Sequence, residues 1–592
     1  MDATAESFRQ EGDRARAAGR PRAATAAYRR SLALTPAFMP ALANLALVLA
    51  GEDALDQVRR AVVLAPSLAL LHLNLGNAFS GLARGRRAAS AFRRALGLDP
   101  AYGEAWLNLG VALHGEGLIA AAAAAAARAL AVRPSYGEAW NNLGNAWRDQ
   151  GRVPAAIAAY EKAMAANAGY ADAARNRLAA RLYLDDDEER AGEEARAFAR
   201  RYGPPSPLPP APLPSAPIDR DPERRIRVGL LSSDLRDHPV GRNLASFFQN
   251  RDPGQIELVG YDSGPGDRMS GWFQARADLW RPVAHLTDRA IAELVRADRI
   301  DVLVGLAGRF DRNRPLVLAW RAAPVQAAMH DGGPSGLGFG DDPAIDAWIT
   351  DAVLHPRSLG DRAGGDRLLR LPLFYSFPVP DRPPASRRPR PEGAVVLASF
   401  SNPAKLSSPL LEAWGRILAE VPAARLQLKY RTWCADPGIQ ARVAGGIAGA
   451  GGDPERIEFL AGADDAEAHL TRYGGVDLAL DPFPFSGATT SFEALAMGVP
   501  VLTLAGRAAI GRTTAAILGP LGLDELVSGS AEDYVRRACT LAFNPLELTR
   551  LKDEVAIRLL TSPLLDAAAH AAALAQAFRR LWRDWCKAAG PR

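Results

Sequence analysis

The sequence has few cysteines and lacks any long apolar segment. Its 592 residues include three cysteines, and the spacing of Cys434, Cys539 and Cys586 matches neither a zinc site nor a disulfide framework. We therefore expect reduced thiols and no metal site. No run of about 18 apolar residues is present, so no membrane span is predicted. The first residues are acidic and lack the apolar core of a signal peptide, which favours a cytoplasmic protein.

The sequence also lacks a strong charge of either sign. Lys and Arg total 71 and Asp and Glu total 66, which leaves a net charge of +5 spread along the chain. This distribution does not indicate a basic patch that binds a phosphate backbone, and we expect no nucleic-acid partner. The length exceeds that of a single hydrophobic core and predicts roughly three to four domains.

A repeat is visible in the first third of the chain. Pro66, Pro100 and Pro134 are 34 residues apart, and five units share a frame of aromatic, Leu, Gly and Ala positions. This frame resembles the tetratricopeptide repeat, in which two antiparallel helices per unit stack into a superhelix with a concave face. We therefore predict an all-α repeat superhelix over residues 1–201. The alternative is a set of helices that merely covers the following domains.

One polar residue type recurs at the sixth position of the repeat frame. Asn is a poor residue for a helix interior, so its recurrence there needs a reason beyond helix formation. An amide has two donors and an acceptor and suits the backbone of an extended peptide, so we predict that this ladder binds a protein or peptide acceptor along the concave face. Hydrogen bonding between repeats is the alternative. The ladder consists of Asn44, Asn74, Asn108, Asn142 and Asn176.

Two proline-rich segments divide the rest of the chain. Residues 202–225 form a predicted stiff linker, because eight prolines within residues 202–217 exclude a helix or a central strand. Strands then alternate with helices over 226–378, and the alternation begins again at 394 after a second linker at 379–393. This order predicts two Rossmann-like domains with mostly parallel sheets, the second over 394–592. The expected fold class is a GT-B-like α/β region that follows the repeats.

One segment of the second domain has the order strand, small-residue loop and helix start. The apolar run 476–480 predicts a strand, and Gly487 gives the following loop freedom to turn. Small hydroxyl residues at 489–491 offer caps for a helix that enters at Phe492. The first N–H groups of such a helix point outward, so the segment predicts an anion site. A crossover without any ligand is the alternative.

The chain resembles the O-GlcNAc transferase/SPINDLY family of glycosyltransferases over nearly its whole length. The most specific matching segments are 401–409 and 480–500, and the segments 321–326 and 560–564 add support. The resemblance implies an inverting, metal-independent protein O-glycosyltransferase with a nucleotide-sugar, UDP-GlcNAc by family default, as co-substrate. It implies no cofactor.

The resemblance also assigns roles in donor binding. Lys405 matches the family lysine that holds the nucleotide diphosphate, where a cation stabilises the departing charge. Thr489 and Thr490 match paired threonines of the phosphate site. Glu493 matches an acidic position expected to bind the ribose hydroxyls, although it could instead complement only the positive end of its helix.

Two histidines match family positions near the reacting groups. His238 matches a histidine close to the acceptor, where an imidazole could act as a base or only orient a hydroxyl. His469 matches a histidine near the nucleotide, and a plain helix-face histidine is the alternative.

The first α/β half departs from the family pattern. Arg309 stands in an altered loop at 308–310, and a second loop at 331–336 also differs. Arg309 and Arg242 would suit a carboxylated sugar, because a guanidinium can bind a carboxylate with two parallel hydrogen bonds. GlcNAc as the transferred sugar is therefore in doubt.

Several functions stay open at this point. The leading hypothesis is a glycosyltransferase that acts on Ser or Thr of a protein. A related flagellin-type enzyme could use a different donor, such as a nonulosonic acid or fucose nucleotide. A catalytically degenerate repeat scaffold is a further alternative, and transfer to lipid or polysaccharide is disfavoured by the asparagine ladder.

Overall fold

The computed structural model forms two compact units. The first contains Met1–Ala173 together with Asp436–Gly438, and the second contains Ala174–Ala435 and Ile439–Arg592. The residues that the structure describes are 3–184, 187–204, 218–308, 310, 312–330, 344–357, 362–363, 366–378, 394–462 and 465–588.

The first unit consists of paired helices in which each helix packs on the next. Proline occupies the first turn of several of them, where its missing N–H leaves no hydrogen bond unmade. The helices are α1 (Ala3–Ala17), α2 (Pro21–Leu34), α3 (Met39–Ala46), α4 (Gly51–Leu64), α5 (Ala69–Gly81), α6 (Gly85–Leu98), α7 (Gly103–Gly115), α8 (Ile119–Val132), α9 (Gly137–Asp149) and α10 (Val153–Ala166).

A glycine in the first helix of a repeat lies against an aromatic ring in the second helix. A Cβ on Gly76 would lie 2.3 Å from Cε1 of Phe92, so only glycine permits this approach. The repeat frame therefore encodes the packing distance between the two helices. The three such pairs in the described residues are Gly12–Tyr28, Gly76–Phe92 and Gly144–Tyr160.

The second unit begins within helix α11 and contains two parallel sheets. After α11 (Ala171–Arg181) and α12 (Glu188–Tyr202), the first sheet has the order β3-β2-β1-β4-β5-β6-β8-β7 among the described residues, with only β7 antiparallel to its neighbour. Its strands are β1 (Ile226–Ser232), β2 (Ile256–Asp262), β3 (Leu279–Pro282), β4 (Val302–Leu306), β5 (Val325–Met329), β6 (Ala347–Asp351), β7 (Arg362–Ala363) and β8 (Asp366–Leu371). The helices of this half are α13 (Pro239–Asn250), α14 (Arg268–Gln274) and α15 (Asp288–Ala297).

The second sheet repeats the same strand order. Among the described residues it runs β11-β10-β9-β12-β13-β14 and is parallel throughout. Its strands are β9 (Val395–Ser399), β10 (Ala424–Leu428), β11 (Ile457–Phe459), β12 (Leu478–Leu480), β13 (Val501–Leu504) and β14 (Val527–Ser528). Its helices are α16 (Ser408–Glu420), α17 (Pro437–Gly449), α18 (Ala466–Thr471), α19 (Thr489–Ala496), α20 (Thr513–Leu518), α21 (Ala531–Ala542) and α22 (Pro545–Leu560), and α23 (Ala567–Ala588) completes the described chain.

The sheet order confirms the fold class expected from the sequence. In each sheet the strand order reverses between the first and fourth strands, which are parallel neighbours, and ligands of doubly wound sheets bind at that position, outside the carboxyl ends of the strands. The domain bounds predicted from the sequence stay predictions. Helix α23 follows the second sheet but packs on α13 of the first half, with the rings of Phe247 and Phe578 5.4 Å apart.

The helices of the described ranges show no candidate membrane span. None of them combines the length and the apolar composition that crossing a bilayer requires.

Candidate functional site

The loops after β9 and β12 meet where the strand order of the second sheet reverses. Lys405 ends a short 3-10 helix after β9, and the Asn402 side chain accepts a hydrogen bond from the N–H of Ala404 at 3.0 Å. The hydroxyl of Ser407 donates to the carbonyl oxygen of Phe483 at 2.7 Å and so ties this loop to the one after β12. The two loops are therefore joined at one edge of the sheet.

Lys405 points into the loop that follows β12. Its Nζ donates to the carbonyl oxygen of Ser486 at 2.7 Å and lies 4.3 Å from the centre of the Phe485 ring. The ring of Tyr183, from the end of α11, stacks on Phe485 at 4.7 Å. Burial of the ammonium lowers the pKa of Lys405 to about 8, against the opposing field of Asp481. The predicted phosphate-binding lysine is thus a partly desolvated cation at the expected edge.

Asp481 fixes the conformation of the Gly487 loop. Its carboxylate is buried and accepts hydrogen bonds from the N–H of Gly487 and the hydroxyl of Thr503, both at 2.7 Å. Burial raises the pKa of this carboxyl, and the hydrogen bonds oppose that shift. A Cβ at Gly487 would lie 2.3 Å from Oγ of Ser491, so a larger residue would displace the loop. Gly487 is therefore required by close packing.

A buried cluster of hydroxyl groups supports the same loop from behind. Ser486 Oγ lies 2.8 Å from Thr513 Oγ1 and accepts from the N–H of Thr514 at 3.0 Å, while Ser491 Oγ lies 2.8 Å from Thr514 Oγ1. Sequence reasoning missed Thr513 and Thr514, because they begin helix α20, 26 and 27 residues after Gly487, and contact the loop only in the fold.

Helix α19 begins earlier than the sequence predicted. Its first residue is Thr489 rather than Phe492, and its N-cap Ala488 has no side-chain hydrogen bond in the described structure. The expectation that Thr489, Thr490 or Ser491 caps the helix was therefore wrong. Thr489 and Thr490 lie within the first turn and are half-buried. Their N–H groups precede the first i−4 acceptor, so the anion-binding character of this helix start is retained.

Glu493 stands in a chain of charged and polar groups that joins both sheets. Its Oε2 lies 3.1 Å from Nε2 of His469, and its Oε1 accepts from Nη1 of Arg242 on α13 at 3.4 Å. Nδ1 of His469 lies 2.6 Å from Nζ of Lys429, at the end of β10. Since an ammonium can only donate, Nδ1 of His469 accepts a hydrogen bond from Lys429. The ring proton is therefore on Nε2, which donates a hydrogen bond to Glu493.

Lys429 is a member of this chain that sequence reasoning missed. It is 4% exposed, and burial lowers its pKa against the attraction of Glu493. A buried lysine at the carboxyl end of a strand has a position in the fold that suits function. The sequence signal was its place directly after the apolar strand β10.

His238 lies at the carboxyl edge of the first sheet. It is the N-cap of α13, where Nδ1 accepts from the N–H of Val240 at 3.4 Å, and Nδ1 lies 3.8 Å from Oδ1 of Asp234. The Asn313 side chain donates to that aspartate at 2.7 Å and holds it in place. With Nδ1 accepting, a neutral imidazole offers Nε2–H, which favours the orienting role of His238 over the role of base.

The asparagine ladder of the first unit contains contacts between repeats. Nδ2 of Asn44 donates to Oδ1 of Asp13 at 2.8 Å, and Nδ2 of Asn108 donates to Oδ1 of Asn77 at 2.9 Å. In both cases the partner occupies the ninth position of the preceding repeat. For these two residues the alternative of hydrogen bonding between repeats has direct support.

The other ladder members differ from these two. Asn74 is 6% exposed, and Asn142 is half-buried without a hydrogen bond among those of the described residues. In the repeat that precedes Asn142, the ninth position is the exposed Val111, whose side chain cannot accept a hydrogen bond. Asn176 lies on α11, in the second unit. Acceptor binding by the ladder stays a prediction, and Asn142 is the member best suited to test it.

Two sequence predictions fall outside the described part of the chain. Arg309 and the loop at 331–336 are not among the described residues. Within the residues that are described, no group of three or more His, Cys, Asp or Glu side chains is arranged to hold a metal ion.

Family models match both parts of the chain. The model of glycosyl transferase family 41 matches residues 214–372 and 385–574. A tetratricopeptide repeat model matches residues 73–131 and 115–171.

The chain is similar to plant proteins of the SPINDLY type. It is 29% identical over 424 residues to a probable UDP-N-acetylglucosamine–peptide N-acetylglucosaminyltransferase SPINDLY of Solanum lycopersicum, covering 70% of this chain and 44% of that protein. A protein of the same description from Arabidopsis thaliana is 31% identical over 381 residues, covering 63% of this chain and 41% of its own length. The chain thus spans less than half the length of these relatives.

A solved structure resembles most of the chain. A point mutant of the Thermobaculum terrenum O-GlcNAc transferase superimposes with a TM-score of 0.79 and 32% sequence identity, covering 89% of this chain and 99% of that one. This likeness supports the fold class described above.

Proposed function

The chain belongs to glycosyl transferase family 41, and on that premise we propose that it transfers a sugar from a nucleotide donor to a Ser or Thr hydroxyl of a protein. The observation that carries the proposal is that Lys405 contacts the loop that contains Gly487 and precedes α19. This contact lies where the strand order of the second sheet reverses. A cation and outward N–H groups at one sheet edge suit a diphosphate.

The charges at this edge support catalysis as well as binding. A nucleoside diphosphate gains negative charge as the glycosidic bond breaks, and Lys405 with the first turn of α19 would stabilise that charge. We propose that these groups act without a divalent cation and that transfer inverts the anomeric centre. His238 would orient the attacking hydroxyl at the facing edge of the first sheet.

The nucleoside would lie beside Glu493 and His469. The carboxylate of Glu493 is held by His469 and Arg242, and we propose that it accepts hydrogen bonds from the ribose hydroxyls. The relatives' names specify UDP-N-acetylglucosamine, and we propose that compound as the first donor to test. The asparagine ladder would bind the acceptor chain.

A donor with a carboxylated sugar has weaker support from the structure. The guanidinium of Arg242 already donates to Asp237 at 2.8 Å and to Glu493 at 3.4 Å, so its charge is balanced by two protein carboxylates before any sugar carboxylate binds. A fucose nucleotide makes no such demand. The donor is therefore best identified by a panel that includes all three classes.

Intact-mass analysis of acceptor proteins tests the proposal. Candidate acceptors are incubated with the full chain and with UDP-, GDP- or CMP-sugars, and the added mass identifies the sugar. Lys405→Met should abolish the mass shift, whereas Lys587→Met, at an exposed lysine of α23, should leave it unchanged. Nucleotide binding without release of nucleotide from any donor would favour a degenerate scaffold instead.

A further inference from the structure

Two buried polar atoms of the first half lack a hydrogen-bond partner in the described structure. They are Nε2 of His330 and Oδ1 of Asn243. A buried polar atom without a partner is destabilising, and native proteins contain few of them. Such atoms near a ligand site are explained when the ligand supplies the missing hydrogen bond.

Both side chains lie beside the same phenylalanine. The ring centres of His330 and Phe374 are 4.7 Å apart, and Nδ2 of Asn243 donates to the carbonyl oxygen of Phe374 at 3.3 Å. Because that carbonyl can only accept, Nδ2 is the nitrogen that faces it, and the unpartnered atom of Asn243 is an oxygen. The two unpartnered atoms thus belong to one small region of the fold.

The region lies at the carboxyl edge of the first sheet. His330 directly follows β5, with a φ of +65°, a left-handed backbone conformation that histidine adopts more readily than most residues. Asn243 is on α13, little more than one turn after the N-cap His238. This is the edge at which doubly wound sheets bind ligands.

The same helix connects the region to the nucleotide residues. Arg242, the residue before Asn243, contacts Glu493 on α19, and α19 begins with Thr489 and Thr490. Helix α13 therefore carries one of the two unpartnered atoms and, at the preceding residue, a direct contact to the proposed nucleotide residues.

The imidazole of His330 suits an uncharged partner. Burial lowers its pKa to about 3, and the positive fields of His570 and His238 act in the same direction. A neutral imidazole forms no ion pair with a phosphate or carboxylate, but it can donate a hydrogen bond to a hydroxyl or accept one from it. The neighbouring His570 is already satisfied, with Nδ1 2.8 Å from Ser246 Oγ and Nε2 3.2 Å from the carbonyl oxygen of Phe374.

We propose that Nε2 of His330, together with Oδ1 of Asn243, forms a subsite for a hydroxyl of the transferred sugar and selects among donor sugars. The inference rests on the proposed function, since it takes the bound molecule to be a nucleotide-sugar. A subsite of this kind distinguishes sugars well, because a donor without the matching hydroxyl would leave both atoms unpaired.

The test compares two polar substitutions that place nitrogen atoms differently. In His330→Gln the amide nitrogen extends to about the position of Nε2, whereas the shorter side chain of His330→Asn does not reach it. Asn also tolerates the left-handed backbone, so loss of the backbone conformation does not explain an effect of His330→Asn. His285→Asn, at an exposed histidine, is the matched control.

The readout is the binding of UDP, UDP-GlcNAc, GDP and GDP-fucose to each full-length variant by calorimetry, with thermal unfolding measured in parallel. His330→Asn should lower the affinity for the sugar nucleotide that wild type transfers by about fivefold to tenfold, the size of one net hydrogen bond. The affinity for the corresponding nucleoside diphosphate without the sugar should stay unchanged. His330→Gln should restore most of the sugar-nucleotide affinity, and His285→Asn should change neither.

The outcomes separate this inference from the proposed function. Equal weakening of bare and sugar nucleotides by His330→Asn, or no weakening of either, would overturn the sugar subsite and leave a structural or water-filled role. A wild-type chain that binds none of the four nucleotides and transfers no sugar from the UDP-, GDP- and CMP-sugar panel would overturn the proposed function, and the subsite with it.

Discussion

The guanidinium of Arg242 lies 3.4 Å from the carboxylate of Glu493, and this ion pair joins helix α13 of the first sheet to helix α19 of the second. The same carboxylate lies 3.1 Å from His469. One acidic side chain therefore organises both facing edges. A ribose that binds Glu493 must share or displace these contacts, so donor binding and the pairing of the two halves are linked.

Replacing Lys405 should remove turnover while leaving the fold intact. We expect Lys405→Met to lower kcat by about 10²- to 10³-fold, the effect of losing one preorganised group that stabilises developing charge. Steady-state release of nucleoside diphosphate measures the change, with Lys587→Met as the control. A loss smaller than about threefold would show that the leaving group is stabilised elsewhere.

The activity of the free enzyme should fall at alkaline pH. Burial lowers the pKa of Lys405 to about 8 from 10.5, so the ammonium loses its proton as the pH rises through about 8. We expect kcat/KM to decrease above that pH. Lys405→Arg, which stays charged, should be less active but should show no such decrease.

The stability of the protein should change in the opposite direction over the same range. The unfolded chain holds the Lys405 proton up to about pH 10.5 and the folded chain only to about 8, so this group makes stability rise between those values. Chemical denaturation of wild type and Lys405→Met at several pH values gives the free energy of unfolding of each. The contribution of Lys405 is the difference between the two values at each pH. A difference that does not vary with pH would contradict the buried-cation interpretation.

Glu493 should affect nucleotide binding more than folding. If its carboxylate binds the ribose, Glu493→Ala should weaken bare UDP or GDP about tenfold, because a hydrogen bond to a charged group is lost. If it only complements the positive end of α19, the variant should instead unfold at a lower temperature with unchanged affinity. Calorimetry and thermal unfolding on the same preparation distinguish the two.

Lys429 should orient His469 at a cost in stability. Lys429→Met removes a cation that burial disfavours and keeps the chain length, so we expect stability at pH 7 not to fall. Nucleotide affinity should fall several-fold, because the imidazole loses the donor that fixes its tautomer. Unchanged affinity would show that Lys429 does not act through His469.

Two ladder positions separate peptide binding from repeat stability. Asn108→Ala removes an inter-repeat hydrogen bond and should destabilise the first unit by about 1 kcal/mol. Asn142→Ala removes no hydrogen bond recorded among the described residues and should leave stability unchanged. If the ladder binds the acceptor, both variants should raise KM for a protein acceptor without altering nucleotide affinity. If only Asn108→Ala raised KM for the protein acceptor, the ladder would have a purely structural role.

The sequence by itself determined the repeats, the fold class and the position of the proposed donor site. Repeat spacing, βα alternation and a small-residue loop before a helix are local patterns, because each depends on residues close together in the chain. Gly487 was predicted for this reason and Lys405 from the family resemblance, and their loops meet at the carboxyl edge of the second sheet.

Only the tertiary structure decided which distant side chains support that site. The hydroxyls behind the Gly487 loop, the lysine that orients His469 and the pairing of Arg242 with Glu493 come from segments up to 251 residues apart. Helix α19 also begins three residues before the predicted position, and no side chain at its start acts as the expected cap. Local pattern does not specify such contacts, because burial and hydrogen-bond partners depend on how the sheets pack, and that packing is a property of the whole fold.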